Sequence, residues 1–213
     1  QGGAQDDGEA LTWYRRAAEQ GQVHAQFNLG VMADQGRGMA KDRTQALAWW
    51  RRAAEGGLPE AQYTVGALLL KGDGVPADEA QAASWLRKAA EAGHARAQSM
   101  WAALLMLGRG VARDEAKAND WLRQAALHDQ VSAQLALAES YQLGRGVARD
   151  EAEAVRWWRT AAIQGNAQAQ LHLAEALFDA RGVTRDPVEA WVWAELGAAQ
   201  GDAKPQAARD RYA

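Results

Sequence analysis

Residues 22–57 read QVHAQFNLGVMADQGRGMAKDRTQALAWWRRAAEGG, and this stretch recurs without a gap along the chain. Trp13, Trp49, Trp85, Trp121, Trp157 and Trp193 stand 36 residues apart. Ala25-Gln26, Ala61-Gln62, Ala97-Gln98, Ala133-Gln134 and Ala169-Gln170 keep the same step, as do Gly38, Gly74, Gly110, Gly146 and Gly182. So do Asp42, Asp78, Asp114, Asp150 and Asp186. Agreement at this many positions marks a tandem array of one supersecondary unit. Full repeats run 22–57, 58–93, 94–129, 130–165 and 166–201. Residues 6–21 match the second half of a repeat and 202–213 its beginning, so 1–213 reads as a single repeat domain.

Each repeat predicts two helices. The first covers about Val23 to Gln35, with Gln26, Leu29, Gly30 and Ala33 on one face. Leu29 is matched by Val65, Trp101, Leu137 and Leu173, a core position, and the small residues at Gly30, Gly66 and Ala102 admit a neighbouring helix. Gly36-Arg37-Gly38 then supplies the positive φ that ends a helix and turns sharply. Ala180 replaces the first glycine in the last full repeat, so that turn is expected to differ or to be strained. The second helix begins after the repeated Asp. Asp42 with Gln45, Asp78 with Gln81 and Asp150 with Glu153 read as N-caps with capping-box partners, and Pro187 follows Asp186 at the first helical position. The phase of Ala46, Trp49 and Ala53 makes the repeated Trp a core residue. Trp50 and Trp158 beside it are expected to be partly exposed, as a second contact surface.

Composition agrees. Alanine supplies 50 of the 213 residues, with one Ile and two Phe, which favours helix over strand. The absence of Cys excludes disulfides, thiolate metal sites and a Cys nucleophile. A net charge of −3 lowers the case for nucleic acid. No apolar run reaches the ~20 residues of a membrane span. The chain opens on Gln1 rather than Met, in keeping with removal of an upstream piece.

The pattern A-Q-x-x-L-G, then G-x-G-V-x-x-D, then A-x-x-W-x-x-x-A-A-x-x-G resembles the Sel1-like repeat, a relative of the tetratricopeptide repeat. The Tyr that the family often carries is kept only at Tyr141, against Ala33, Leu69, Leu105 and Leu177. The resemblance implies an all-α fold, a right-handed superhelical α/α solenoid of 36-residue helix-turn-helix repeats, and a protein-interaction module. Its partner lies in the concave groove lined by first helices. Carried onto this chain, that face holds His24, Phe27, Val31 and Asp34, then Glu60, Tyr63 and Leu70, then Arg96 and Met106. It continues with Leu135, Glu139 and Gln142, then Leu171, Glu175 and Phe178. Phe27, Tyr63, Leu135 and Leu171 are equivalent and would form one row, a candidate strip of binding hot spots.

Chemistry is expected to be absent. The Gly-x-Gly turns lack the Lys-Ser/Thr of a P-loop and the strand of a dinucleotide fold. His24, His94, His128 and His172 show no metal-ligand spacing, so no metal or cofactor is expected. Glu139 and Glu175 could be drawn as an acid/base pair, but a solvated acidic groove is the reading preferred. The functional reading is a non-enzymatic binder. Its narrower form, implied by the resemblance, is a bacterial periplasmic immunity protein that neutralises a secreted toxic effector, such as a type VI secretion lipase. The alternatives are an adaptor in an envelope or signalling assembly, self-associating through the solenoid ends, and, further off, a hydrolase. The cytoplasm is the alternative location.

Overall fold

The structure is a computed structural model and describes residues 3–199. The partial repeat expected at 202–213 lies outside the described residues. Eleven α-helices and no strand occur among the described residues. They fall into two compact units, the first ending at Arg113 and the second beginning at Asp114.

The first unit holds α1 (Gly3–Glu19), α2 (Val23–Gln35), α3 (Arg43–Glu55), α4 (Pro59–Lys71), α5 (Glu79–Glu91) and α6 (Ala95–Leu107). The second holds α7 (Glu115–Leu127), α8 (Val131–Leu143), α9 (Glu151–Ile163), α10 (Ala167–Asp179) and α11 (Pro187–Ala198). Within each unit every helix packs on its neighbours in sequence. Even-numbered helices are the first of a repeat and odd-numbered ones the second.

The helix ends follow the sequence closely. Asp42, Asp78, Asp114, Asp150 and Asp186 each accept the backbone N–H three residues on. The donated bonds hold Asp78 and Asp114 below the usual carboxylate range. Among the capping-box partners, Gln81 donates its side-chain amide to the Asp78 carboxylate. At the other end of the first helices the turn residue is left-handed, and Ala180 adopts the same conformation as the glycines, φ 56° and ψ 37°. The turn therefore keeps its shape, and the Cβ strain expected of Ala there is real.

The buried faces follow the expected first-helix core: Leu29, Val65, Trp101, Leu137 and Leu173 are all buried. On the second helices the expectation is corrected. Trp50 and Trp158 are the buried indoles, each 5% exposed, whereas Trp49, Trp85, Trp121, Trp157 and Trp193 are half-buried. Trp13 is 67% exposed. The buried stripe of α3 is Ala46, Trp50, Ala53 and Ala54, at i, i+4, i+7 and i+8. Trp49 sits at its edge, where the Arg52 guanidinium lies 4.6 Å from the ring centroid, as Lys88 does 4.4 Å from Trp85. Gly30 explains how α3 buries so large a side chain. A Cβ there would lie 2.5 Å from the Trp50 indole nitrogen, which instead donates to the Phe27 carbonyl at 3.2 Å.

The repeated Gln has a role that its face alone did not reveal. Gln26, Gln62, Gln98, Gln134 and Gln170 are buried, and each donates its side-chain amide to a carbonyl eight residues back. That carbonyl lies in the last turn of the preceding second helix and also accepts the backbone N–H three residues on, so the Gln amide fills its second lone pair and ties the two helices together. The second glycine of each turn is also explained by a close approach. A Cβ at Gly38 would lie 2.7 Å from the Asp7 carbonyl oxygen of α1, and one at Gly110 would lie 2.0 Å from the Glu79 carbonyl oxygen at the start of α5.

Candidate interaction face and groove

The first helices carry their buried residues toward the second helices and leave a strip of varied residues on the opposite side. None of the sequence-predicted contact residues is buried. In the first unit His24, Glu60 and Arg96 are exposed, and Phe27, Val31, Asp34, Tyr63, Leu70 and Met106 are half-buried. In the second unit Glu139 is exposed, and Leu135, Gln142, Leu171, Glu175 and Phe178 are half-buried.

Several of these side chains are already engaged. Tyr63 stacks on His94, with ring centroids 4.7 Å apart and planes at 22°. His94 caps α6, its Nδ1 accepting the Ala97 N–H at 3.1 Å. Burial pushes this imidazole below its ordinary value, opposed by Glu60 and reinforced by Arg96. Asp34 faces Arg43 at 3.3 Å, and Arg43 also donates to Asp73 at 3.0 Å. Arg185 donates to the Phe178 carbonyl and lies over its ring. Glu175 is 3.4 Å from Arg181.

The second unit adds a hollow. A groove of about 430 Å³ opens between α8 and α10, with Trp158 of α9 among its walls. Leu135, Glu139 and Gln142 line it from α8, and Gln168 and His172 from α10. The structure thus brings together three of the predicted residues and leaves Leu171, Glu175 and Phe178 outside the lining. His172 stacks on Trp158 at 5.1 Å and 21°. Sequence reasoning missed both, reading His172 as a scattered histidine and Trp158 as an outward-facing indole. Phase alone does not separate Trp157 from Trp158, which stand at i+3 and i+4 from Ala154; packing puts Trp158 with Ala154, Ala161 and Ala162 on the buried face of α9. Among the described residues Glu139 pairs with Arg145 at 3.6 Å, both side chains being more than half exposed. Such a pair contributes about 0–1 kcal/mol, so the carboxylate can exchange partners at little cost.

The Sel1 repeat family matches residues 1–22, 23–58, 59–94, 95–129, 131–166 and 167–202. The chain belongs to the Sel1 repeat family. Sel1 repeats are protein-interaction modules, and the fold is the family's α/α solenoid. A protective antigen of uropathogenic Escherichia coli with this fold is 37% identical, with a TM-score of 0.89 over 92% of this chain. This chain spans 42% of that protein's length. A Sel1 repeat protein from Oxalobacter formigenes is 32% identical, with a TM-score of 0.84, covering 95% of this chain and 80% of its own. An immunity protein from Pseudomonas aeruginosa shares the fold at 23% identity and a TM-score of 0.51, over 95% of this chain and 72% of its own. No curated protein matches the chain. Among the described residues no helix is long and apolar enough to cross a membrane.

Proposed function

We propose that this Sel1 repeat chain is a non-catalytic module that binds a protein partner on the varied faces of its first helices, with the second-unit groove as the main contact. The observation that carries the reading is the division of labour within one repeat. The recurring positions are spent on burial, caps and turns, while the varied first-helix positions stay half-exposed and, between α8 and α10, open a groove. A binding site of a few hundred Å³ with mixed apolar and polar walls is what recognition of a partner side chain needs. The acid/base alternative at Glu139 and Glu175 is weakened by their ion pairs with Arg145 and Arg181.

The narrower form is an immunity protein, placed in the periplasm, that neutralises a secreted toxic enzyme. The likeness to the Pseudomonas immunity protein supports the scaffold for this and says nothing about the partner. Affinity capture from the source cells tests the reading with wild type, a Phe27→Glu/Tyr63→Glu variant and a Leu135→Glu/Leu171→Glu variant. A stoichiometric partner lost from the second-unit variant, with thermal unfolding little changed, is expected. If that partner is an enzyme inhibited by the wild-type chain, the immunity reading stands. Equal retention by all three proteins rejects the first-helix faces.

A second reading, a subunit of a larger assembly, is favoured by α11. Val188, Trp191, Val192 and Leu196 are exposed there at i, i+3, i+4 and i+8, with Val188 at 76%. The positions equivalent to Val188, Val192 and Leu196 in α9 are Ala152, Arg156 and Thr160. Light scattering that gives a monomer mass for wild type and for Val192→Lys/Leu196→Lys alike would remove self-association from this reading.

A further inference from the structure

The groove between α8 and α10 has one formally charged wall. Glu139 supplies it, and the remaining polar lining consists of the Ser132 hydroxyl, the Gln142 and Gln168 carboxamides and the His172 imidazole. No Lys or Arg is among the described residues that line it, and Arg145 reaches Glu139 at 3.6 Å from outside the lining. The apolar part is Leu135 and Leu143 with the face of Trp158. The repeat supplies its own comparison. In the equivalent helix pairs of the first unit, α2 with α4 and α4 with α6, the position of Glu139 is Val31 and Ala67, and that of Gln168 is Glu60 and Arg96. The position of His172 in these pairs is Thr64 and Met100. The combination of a loosely held carboxylate, two side-chain amide oxygens and an apolar shelf therefore belongs to this groove and not to the repeat pattern.

We propose that this groove takes an arginine side chain presented by a segment of the partner protein. The guanidinium displaces Arg145 from Glu139, the Gln142 and Gln168 carbonyls accept further N–H bonds, and the aliphatic stem lies on Leu135 and Leu143. Charge complementarity selects a cation. The planar fork of arginine suits a carboxylate flanked by amide acceptors better than the point charge of lysine does. The proposal rests on the reading of the chain as an interaction module and names the chemistry of its contact.

The test uses the full chain, isotope-labelled, and four acetylated and amidated pentapeptides, Gly-Leu-X-Leu-Gly, with X as Arg, Lys, Ala or Glu. Binding is followed through the backbone amide resonances of α8 and α10. The Arg peptide is expected to shift them with an affinity about tenfold above the Ala peptide, with Lys between and Glu weakest. Raising the salt weakens the Arg peptide and leaves the Ala peptide unchanged. Glu139→Gln, at an exposed position, reduces Arg binding to the Ala level, while Glu91→Gln in the first unit does not. Equal binding of all four peptides, or tighter binding of the Glu peptide, overturns the proposal. So does L-argininamide alone binding as tightly as the Arg peptide, which makes the groove a small-molecule site. If the peptides fail while Leu135→Glu/Leu171→Glu still abolishes partner capture, only the arginine assignment falls. If both fail, the module reading of this face falls with it.

Discussion

At the residue scale, His94 shows how one side chain can serve a cap and a contact face at once. Its Nδ1 must be unprotonated to accept the Ala97 N–H, and its ring is stacked under Tyr63. Burial depresses its pKa, with Glu60 and Arg96 the charged groups facing it. A group whose folded pKa is lowered in this way stabilises the fold above its unfolded value of about 6.5 and loses that contribution as the pH falls through the folded value. Thermal unfolding followed from pH 7 downward should therefore show wild type losing stability below about pH 6.5 relative to His94→Asn. Asparagine keeps the cap, as Asn166 does at the equivalent position by accepting the Ala169 N–H at 2.9 Å. Parallel curves for the two proteins would show that the cap does not depend on protonation. The caps themselves were legible in the sequence, because an Asp recurring before each second helix has one economical explanation. The histidine cap was not, since nothing local distinguishes it from an exposed ring.

At the scale of elements, the buried Gln joins each first helix to the end of the second helix before it. Gln134 makes two bonds. It donates to the Ala126 carbonyl at 3.2 Å and accepts from Gln164 at 3.0 Å, while the side-chain oxygen of Gln62 has no partner among the described residues. Gln134→Leu removes the side-chain bond to the Ala126 carbonyl, which keeps the Asp129 N–H, and the partner of Gln164, and should cost about 1–3 kcal/mol in urea unfolding. Gln62→Leu removes one bond, the Ala54 carbonyl keeping the Gly57 N–H, and should cost about 0.5–1.5 kcal/mol. Equal losses at the two sites would mean that the Gln164 bond contributes nothing. The sequence showed that Gln recurs and which face it shares with Leu29, but its acceptor lies eight residues back across a turn. Helical periodicity carries no information across that turn. The exchanged roles of Trp49 and Trp50 have the same origin. Adjacent positions on a helix differ by ~100°, and only the neighbouring helix decides which of the two faces inward.

At the scale of the whole molecule, neighbouring repeats are matched by charge. In the first unit the middle residue of each Gly-x-Gly turn pairs with one equivalent position early in the preceding second helix, whereas Arg145 and Arg181 of the second unit pair with Glu139 and Glu175 on the first helix of their own repeat. Arg37 pairs with Asp7 at 2.6 Å, Arg109 with Glu79 at 2.6 Å, and Asp73 with Arg43 at 3.0 Å, the last with the signs reversed. The repeats of the first unit are therefore not interchangeable, although their helices are alike. Glu79→Arg should destabilise by about 0.5–1 kcal/mol through repulsion of Arg109, and Glu79→Arg/Arg109→Asp should recover most of the loss by copying the Arg43–Asp73 arrangement. Additive losses in that double-mutant cycle would reduce the matching to coincidence. The approach that permits these pairs depends on the second turn glycine, whose absent Cβ lets the turn sit against the preceding helix.

The sequence by itself determined the repeat, the helix boundaries, the Asp N-caps of the second helices and the first-helix core, because all of these depend on neighbours within about one turn or one loop. Tertiary structure decided which indoles are buried, what the recurring glutamines bond, and where the surface is hollow. The groove shows the reason most clearly. It is space left between α8 and α10 after Trp158 and His172 have stacked, and such space depends on how side chains from three helices fill a shared volume.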